Sequence, residues 1–187
     1  MATISAPKTV LAFLDLIAEA EVTSTSAVTK NDGYDIIVNG VDEHEIITDY
    51  SAHPFATGRA PIYVSPPLYY AKVGLVNKMQ LAEQPPRLAR AAIYSTAAGR
   101  YQIILPTWAY LTLRAGLSDF TPLSQDKAAI LLLSQRDAMT PITTGDVEVA
   151  IDRVSAIWAS FPGNEYKQPG VTKEWLLSRY YAMLKGM

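Results

Sequence analysis

Residues 8–21 read KTVLAFLDLIAEAE, and this stretch anchors the fold. Leu14, Ile17, Ala18 and Glu21 recur at helical spacing, so the segment predicts a helix with an apolar face. Glu21 ends that helix on its apolar edge, whereas Asp15 and Glu19 are expected elsewhere on its surface. Val22, Thr23 and the Ser/Thr-rich residues to Thr29 break the pattern into a loop.

Beyond the loop, residues 33–50 read GYDIIVNGVDEHEIITDY and predict a small antiparallel sheet. Ile36, Ile37 and Val38 form a β-branched run, Asn39-Gly40 suits a hairpin turn, and Ile46–Thr48 could return. Six prolines then punctuate residues 54–92: Pro54, Pro61, Pro66, Pro67, Pro85 and Pro86. Long helices are not expected there; residues 55–94 read as a Pro-rich insertion or lid, with room for one short helix over 71–83. Tyr63, Tyr69 and Tyr70 add aromatic surface to it.

From residue 95 the pattern turns helical to the end. Pro106 is expected to kink or separate two helices, and Thr121-Pro122 reads as an N-cap followed by proline at the first helical position. AAILLL at 128–133 is apolar on all sides and predicts a central buried helix. Val147, Ala150, Ile151, Val154, Ile157 and Trp158 predict an amphipathic helix stopping near Pro162-Gly163. A last helix over about 172–185 carries Trp175, Leu176, Tyr180, Met183 and Leu184 inward. With no internal repeat, the expectation is one α+β domain over residues 1–187. It has a mostly helical lobe, a small antiparallel sheet after the first helix and a cleft between them.

The 187 residues are 49 % hydrophobic and 18 % charged, which argues for a compact chain and against disorder. Sixteen basic and eighteen acidic side chains give a net charge of −2, so a nucleic-acid partner has nothing in its favour. Without cysteine there is no disulfide or thiol catalysis, and His44 and His53 alone do not suggest a histidine-rich metal site. No apolar run reaches the roughly 18 residues that span a bilayer, so no stable membrane insertion is expected. Asp15 and Glu19 in the first twenty residues argue against a cleaved signal peptide.

Six segments carry a resemblance. AFLDLIAEAEVT at 12–23, GYDIIV at 33–38, TDYSAHP at 48–54, STAAGRYQ at 95–102, GLSDFTPLSQD at 116–126 and AIDRVSAIWASFPG at 150–163 resemble the lambda-type phage endolysins. They occur in family order and cover most of the chain outside 55–94. The resemblance implies a lysozyme-like fold and peptidoglycan cleavage by a lytic transglycosylase. Its single essential acid stands at the end of the first helix, which is Glu21 here. The family's glutamate-glycine-threonine pattern reads Glu21-Val22-Thr23 in this chain, and Ala52 stands where related sequences often have an aspartate.

The chemistry agrees with that implication. Breaking a glycosidic bond needs a proton on the leaving oxygen, and a carboxylic acid supplies it near neutral pH only if its pKa is raised. A carboxyl on an apolar helix edge meets that condition; otherwise Glu21 is a solvated helix-end glutamate. The resemblance implies a non-hydrolytic reaction: the C6 hydroxyl of N-acetylmuramic acid attacks its own anomeric carbon and yields a 1,6-anhydro product. Asp35, Glu43, Glu45 and Asp49 are the alternatives for a second carboxylate in a hydrolytic muramidase.

Thr23, Asp35, Tyr101, Gln102 and Tyr166 are the substrate-binding candidates that the resemblance suggests. Gln102 would face the sugar's N-acetyl group, since an amide both donates and accepts. Tyr166, in PGNEYKQ, would stack on a sugar. Each has a structural alternative: Asp35 could serve the sheet, Tyr101 could fill the core, Tyr166 could be a core tyrosine. Trp108, Trp158 and His53 read as structural, and His44 as exposed. No metal or cofactor is expected. The expected partners are glycan strands of peptidoglycan and, indirectly, a holin for release. The protein would be a monomer held in the host cytoplasm until lysis and then act on the wall in the periplasm. A non-enzymatic wall-binding phage protein is the remaining reading.

Overall fold

A computed structural model describes residues 1–38, 46–64, 93–163 and 170–187. Helix α1 spans Lys8–Ala20, with Glu21 as its C-cap. A two-stranded antiparallel ribbon follows, β1 at Ile62–Val64 and β2 at Ile93–Ser95. The helices after it are α2 (Leu105–Ala115), α3 (Pro122–Gln135), α4 (Met139–Thr144), α5 (Val147–Val154) and α6 (Lys173–Gly186). None of the described helices is long and apolar enough to cross a membrane.

The apolar repeat of α1 is wider than a stripe. Nine of its thirteen residues are buried, against seven of fourteen in α3, so α1 is the more enclosed helix. In α3, Ile130 and Leu131 are only half-buried, a correction to the all-round burial expected of AAILLL. The first and last helices close the core on each other. Tyr180 of α6 meets the Phe13 ring edge-on at 6.3 Å, and Arg179 Nε pairs with Glu19 Oε1 at 2.7 Å. Asp15, expected on the surface, is instead buried.

The antiparallel pairing expected after α1 is present between Ile36 and Ile46, as an isolated bridge rather than a ladder. Ile37 bridges Ala98, and Ala98 bridges Ile103, so residues 36–37, 46, 98 and 103 make a small irregular sheet. The regular ladder lies at β1 and β2, where Tyr63 and Tyr94 stand opposite each other with rings 5.6 Å apart. The Asn39-Gly40 turn and the helix expected over 71–83 lie outside the described residues.

Pro106 does not divide two helices. Residues 95–104 are extended or turning, Gly99 and Gln102 have φ of 75° and 47°, and Pro106 sits in the first turn of α2. A first-turn N–H has no intrahelical partner, so proline costs nothing there. Thr121 does cap α3: its hydroxyl accepts from the Ser124 N–H, with Pro122 behind it. Helix α5 stops at Val154, short of the stop expected near Pro162, and Ile157 and Trp158 continue its inward face in turns. The short helix α4, with Pro141 and Ile142 buried, has too few residues to show a period in the sequence.

Candidate active site

The turn that ends α1 places Glu21. The Thr23 N–H bonds to Ala18 O at 3.0 Å, and the Val22 N–H bonds to Glu19 O at 3.0 Å. Between them Val22 adopts φ of 61°. This is the Schellman stop, whose left-handed position glycine fills most easily because it has no Cβ. The chain keeps that backbone path with a β-branched residue, at a strain of roughly 1–2 kcal/mol. Glu21 is thereby turned off the helix end and buried, with 8 % of its surface exposed.

Its partner comes from far along the chain. Ser160 Oγ donates to Glu21 Oε1 at 2.6 Å. Burial pushes the Glu21 carboxyl from 4.5 up to about 7, while hydrogen bonds from the hydroxyl and main chain of Ser160 pull it back part of the way. The group is thus half protonated near neutral pH and can give up or take a proton there. Ser160 lies in the ASFPG stretch, but no single residue of that stretch stood out in the sequence, because the contact joins positions 139 apart.

Thr23 is fully buried, and its hydroxyl reaches Arg100 O at 2.6 Å. It ties the turn after Glu21 to residues 98–103. Gly33 packs so closely on Thr23 that a Cβ would come within 2.8 Å of its backbone carbon. Trp158 Nε1 donates to Tyr101 O at 3.0 Å, tying the same 98–103 turn to the segment that carries Ser160. Gln102, half-buried, closes that turn through its Nε2, 2.9 Å from Gly99 O.

Asp35 and Tyr101 are engaged inside the protein. Asp35 accepts from the Thr29 hydroxyl at 2.5 Å and from the Lys30 N–H at 2.7 Å, organising the loop after Glu21. Tyr101 is buried and donates to Asp126 Oδ1 at 2.6 Å. Tyr34 donates to the same oxygen at 2.7 Å, and the other oxygen takes the N–H groups of Thr3 and Ile4. Tyr166, Glu43, Glu45 and His44 lie outside the described residues. Asp49 is solvent-facing and caps Ser51. His53 is buried between Phe120 and Trp108; burial lowers its pKa, and its Nε2 stands 3.0 Å from Ile103 O.

Behind the site lies a network that the sequence did not disclose. Arg100 is buried, paired with Asp15 at 2.7 Å and Asp32 at 2.8 Å, and stacked over Tyr34. Burial opposes its charge, but the carboxylates of Asp32 and Asp15 outweigh this and keep the guanidinium charged. Gln125 accepts the Arg100 N–H and donates to Tyr34 O and Phe120 O. The GYD, AGRYQ and SQD segments therefore meet in one place. Among the described residues, no cluster of three His, Cys, Asp or Glu is arranged to hold a metal.

Residues 11–186 match the Endolysin family. The endolysin of Escherichia phage P2 is 41 % identical over 90 % of this chain and 88 % of its own length. That of Escherichia phage lambda is 38 % identical over 84 % and 79 %. Among solved structures, the bacteriophage lambda lysozyme complexed with a chitohexasaccharide superposes with a TM-score of 0.72. It is 34 % identical and covers 97 % of each chain. A second structure of the lysozyme from bacteriophage lambda gives 0.67 at 32 % identity, covering 98 % of this chain and 96 % of that one.

Proposed function

The chain belongs to the Endolysin family, and from that premise we propose that it degrades bacterial peptidoglycan for phage-driven lysis. The bond cut is the β-1,4 link between N-acetylmuramic acid and N-acetylglucosamine, and the reaction is transglycosylation. A glycan strand as ligand is supported by the lambda lysozyme's complex with a chitohexasaccharide.

The observation that carries the reading is the buried Glu21 carboxyl, protonated well into the neutral range and hydrogen-bonded to Ser160. Protonated Glu21 gives its proton to the glycosidic oxygen as the bond to the anomeric carbon breaks. The C6 hydroxyl of the same muramic acid then attacks that carbon, and its proton returns to the Glu21 carboxylate. No water is consumed, and the product is the 1,6-anhydro sugar. One acid suffices for both halves. That both oxygens of Asp35 are committed to the 29–30 loop favours this route over one in which Asp35 is a second catalytic carboxylate.

Gln102 is the residue for the N-acetyl group and Tyr166 the one for stacking on a sugar ring. Thr23, Asp35 and Tyr101 act on the substrate through the shape of the turn and loop they brace. The protein works as a monomer, accumulates in the host cytoplasm, reaches the wall through a holin-type lesion, and acts there. Digestion of purified peptidoglycan by the wild type and by Glu21→Gln tests the chemistry. Muropeptides lighter than hydrolysed ones by one water, absent with the variant, are expected. Hydrated products would replace transglycosylation by hydrolysis, and equal release by both proteins would remove Glu21 from the reaction.

A further inference from the structure

We infer that Ser160 is a positioning residue for Glu21: its hydroxyl makes Oε2 the oxygen that gives up and takes back the proton. The inference rests on the reading of Glu21 as the acid.

A carboxyl has two equivalent oxygens, and only one can face the bond to be broken. Ser160 removes the equivalence. Its Oγ lies 2.6 Å from Oε1, and among the described residues its hydrogen has no other acceptor. If Oε1 carried the proton and donated to Ser160, the serine hydrogen would be left buried without a partner, which is costly. The hydroxyl therefore donates to Oε1 in both states of Glu21, and the mobile proton belongs to Oε2. After proton transfer the same bond steadies the carboxylate, in surroundings that otherwise disfavour charge.

The donor is held rigidly enough for this role. Ser160 is buried, and its carbonyl accepts the Val171 N–H at 2.9 Å. Gly170 passes so close that a Cβ there would come within 2.5 Å of Ser160 O. On the other side the Phe161 N–H bonds to Trp158 O at 3.0 Å, and the Phe161 ring packs against Phe13 of α1 at 6.4 Å. Acid and donor are thus attached to the same core.

The test compares pH profiles of kcat and kcat/KM on purified peptidoglycan for the wild type, Ser160→Ala and Ser160→Thr. Alongside, the Glu21 carboxyl is titrated by carbon NMR, with Glu21→Gln identifying its resonance. In Ser160→Ala the Glu21 titration and the alkaline limb should move up by about one pH unit, and kcat should fall about tenfold with KM little changed. Ser160→Thr, which keeps the hydroxyl, should restore both. If Ser160→Ala does not fold, Ser160→Cys, a weak donor of similar size, should show the same displacement. An unmoved titration in the folded alanine or cysteine variant would overturn the inference, as would equal losses in the alanine and threonine variants. An active Glu21→Gln would instead remove the reading beneath it, while the Glu21 titration would still report on Ser160.

Discussion

Replacing Glu21 with glutamine should change the pH dependence of stability as well as activity. The carboxyl titrates at about 7 in the folded chain against 4.5 ordinarily. Below pH 4.5 it is protonated whether the chain is folded or not, so burial carries no charge penalty. Between 4.5 and 7 the unfolded chain ionises first, unfolding releases a proton, and the folded state loses stability as pH rises. Above 7 the folded chain holds a buried carboxylate and the penalty is complete. The full span is about 3 kcal/mol, of which about 2.5 falls between pH 5 and pH 8. Glutamine preserves the shape and still accepts from Ser160, but it does not titrate. With an unfolding entropy of roughly 0.4 kcal/mol/K for a chain of this size, the Tm of Glu21→Gln should gain about 6 °C on the wild type from pH 5 to pH 8. Calorimetry of both proteins across that range measures the gap directly. A gap constant to within about 1 °C would refute the claim that burial raises this carboxyl.

Asp126→Ala should lower the Tm by about 8 °C or more, since it strips a buried carboxylate from Tyr34, Tyr101, Thr3 and Ile4. A loss below about 3 °C in a circular-dichroism melt would mean that these groups find other partners. Val22→Gly should raise stability by about 1 kcal/mol, or about 2–4 °C in Tm, because Val22 holds φ of 61°. A lower Tm for that variant would show that its side-chain contacts outweigh the backbone strain.

What could be read in advance was whatever repeats locally. The spacing of Leu14, Ile17, Ala18 and Glu21 located α1 and the acid at its end, and Thr121-Pro122 located the start of α3. The turn at 95–104 escaped because helix-favouring residues there are overruled by Gly99 and Gln102 in left-handed conformations. Polar burial has no period at all. Nothing in the pattern of α1 distinguishes Asp15, which is buried against Arg100, from Glu19, which meets Arg179 nearer the surface. Ser160 is legible only once the chain has brought it to Glu21, and the same is true of the convergence of Arg100, Gln125 and Asp126 behind the site.

Helix α6 seals α1 through Tyr180 on Phe13 and Arg179 on Glu19. That packing ties Glu21 to the integrity of the core. Glu21 ends α1 and Ser160 lies 139 positions further along, so only the closed core brings the two together. Where the core opens enough to part them, the Glu21 carboxyl meets water and loses the burial that raises it. A raised Glu21 carboxyl is thus a reporter of native packing: it is lost with the tertiary contacts, whatever helix α1 retains on its own.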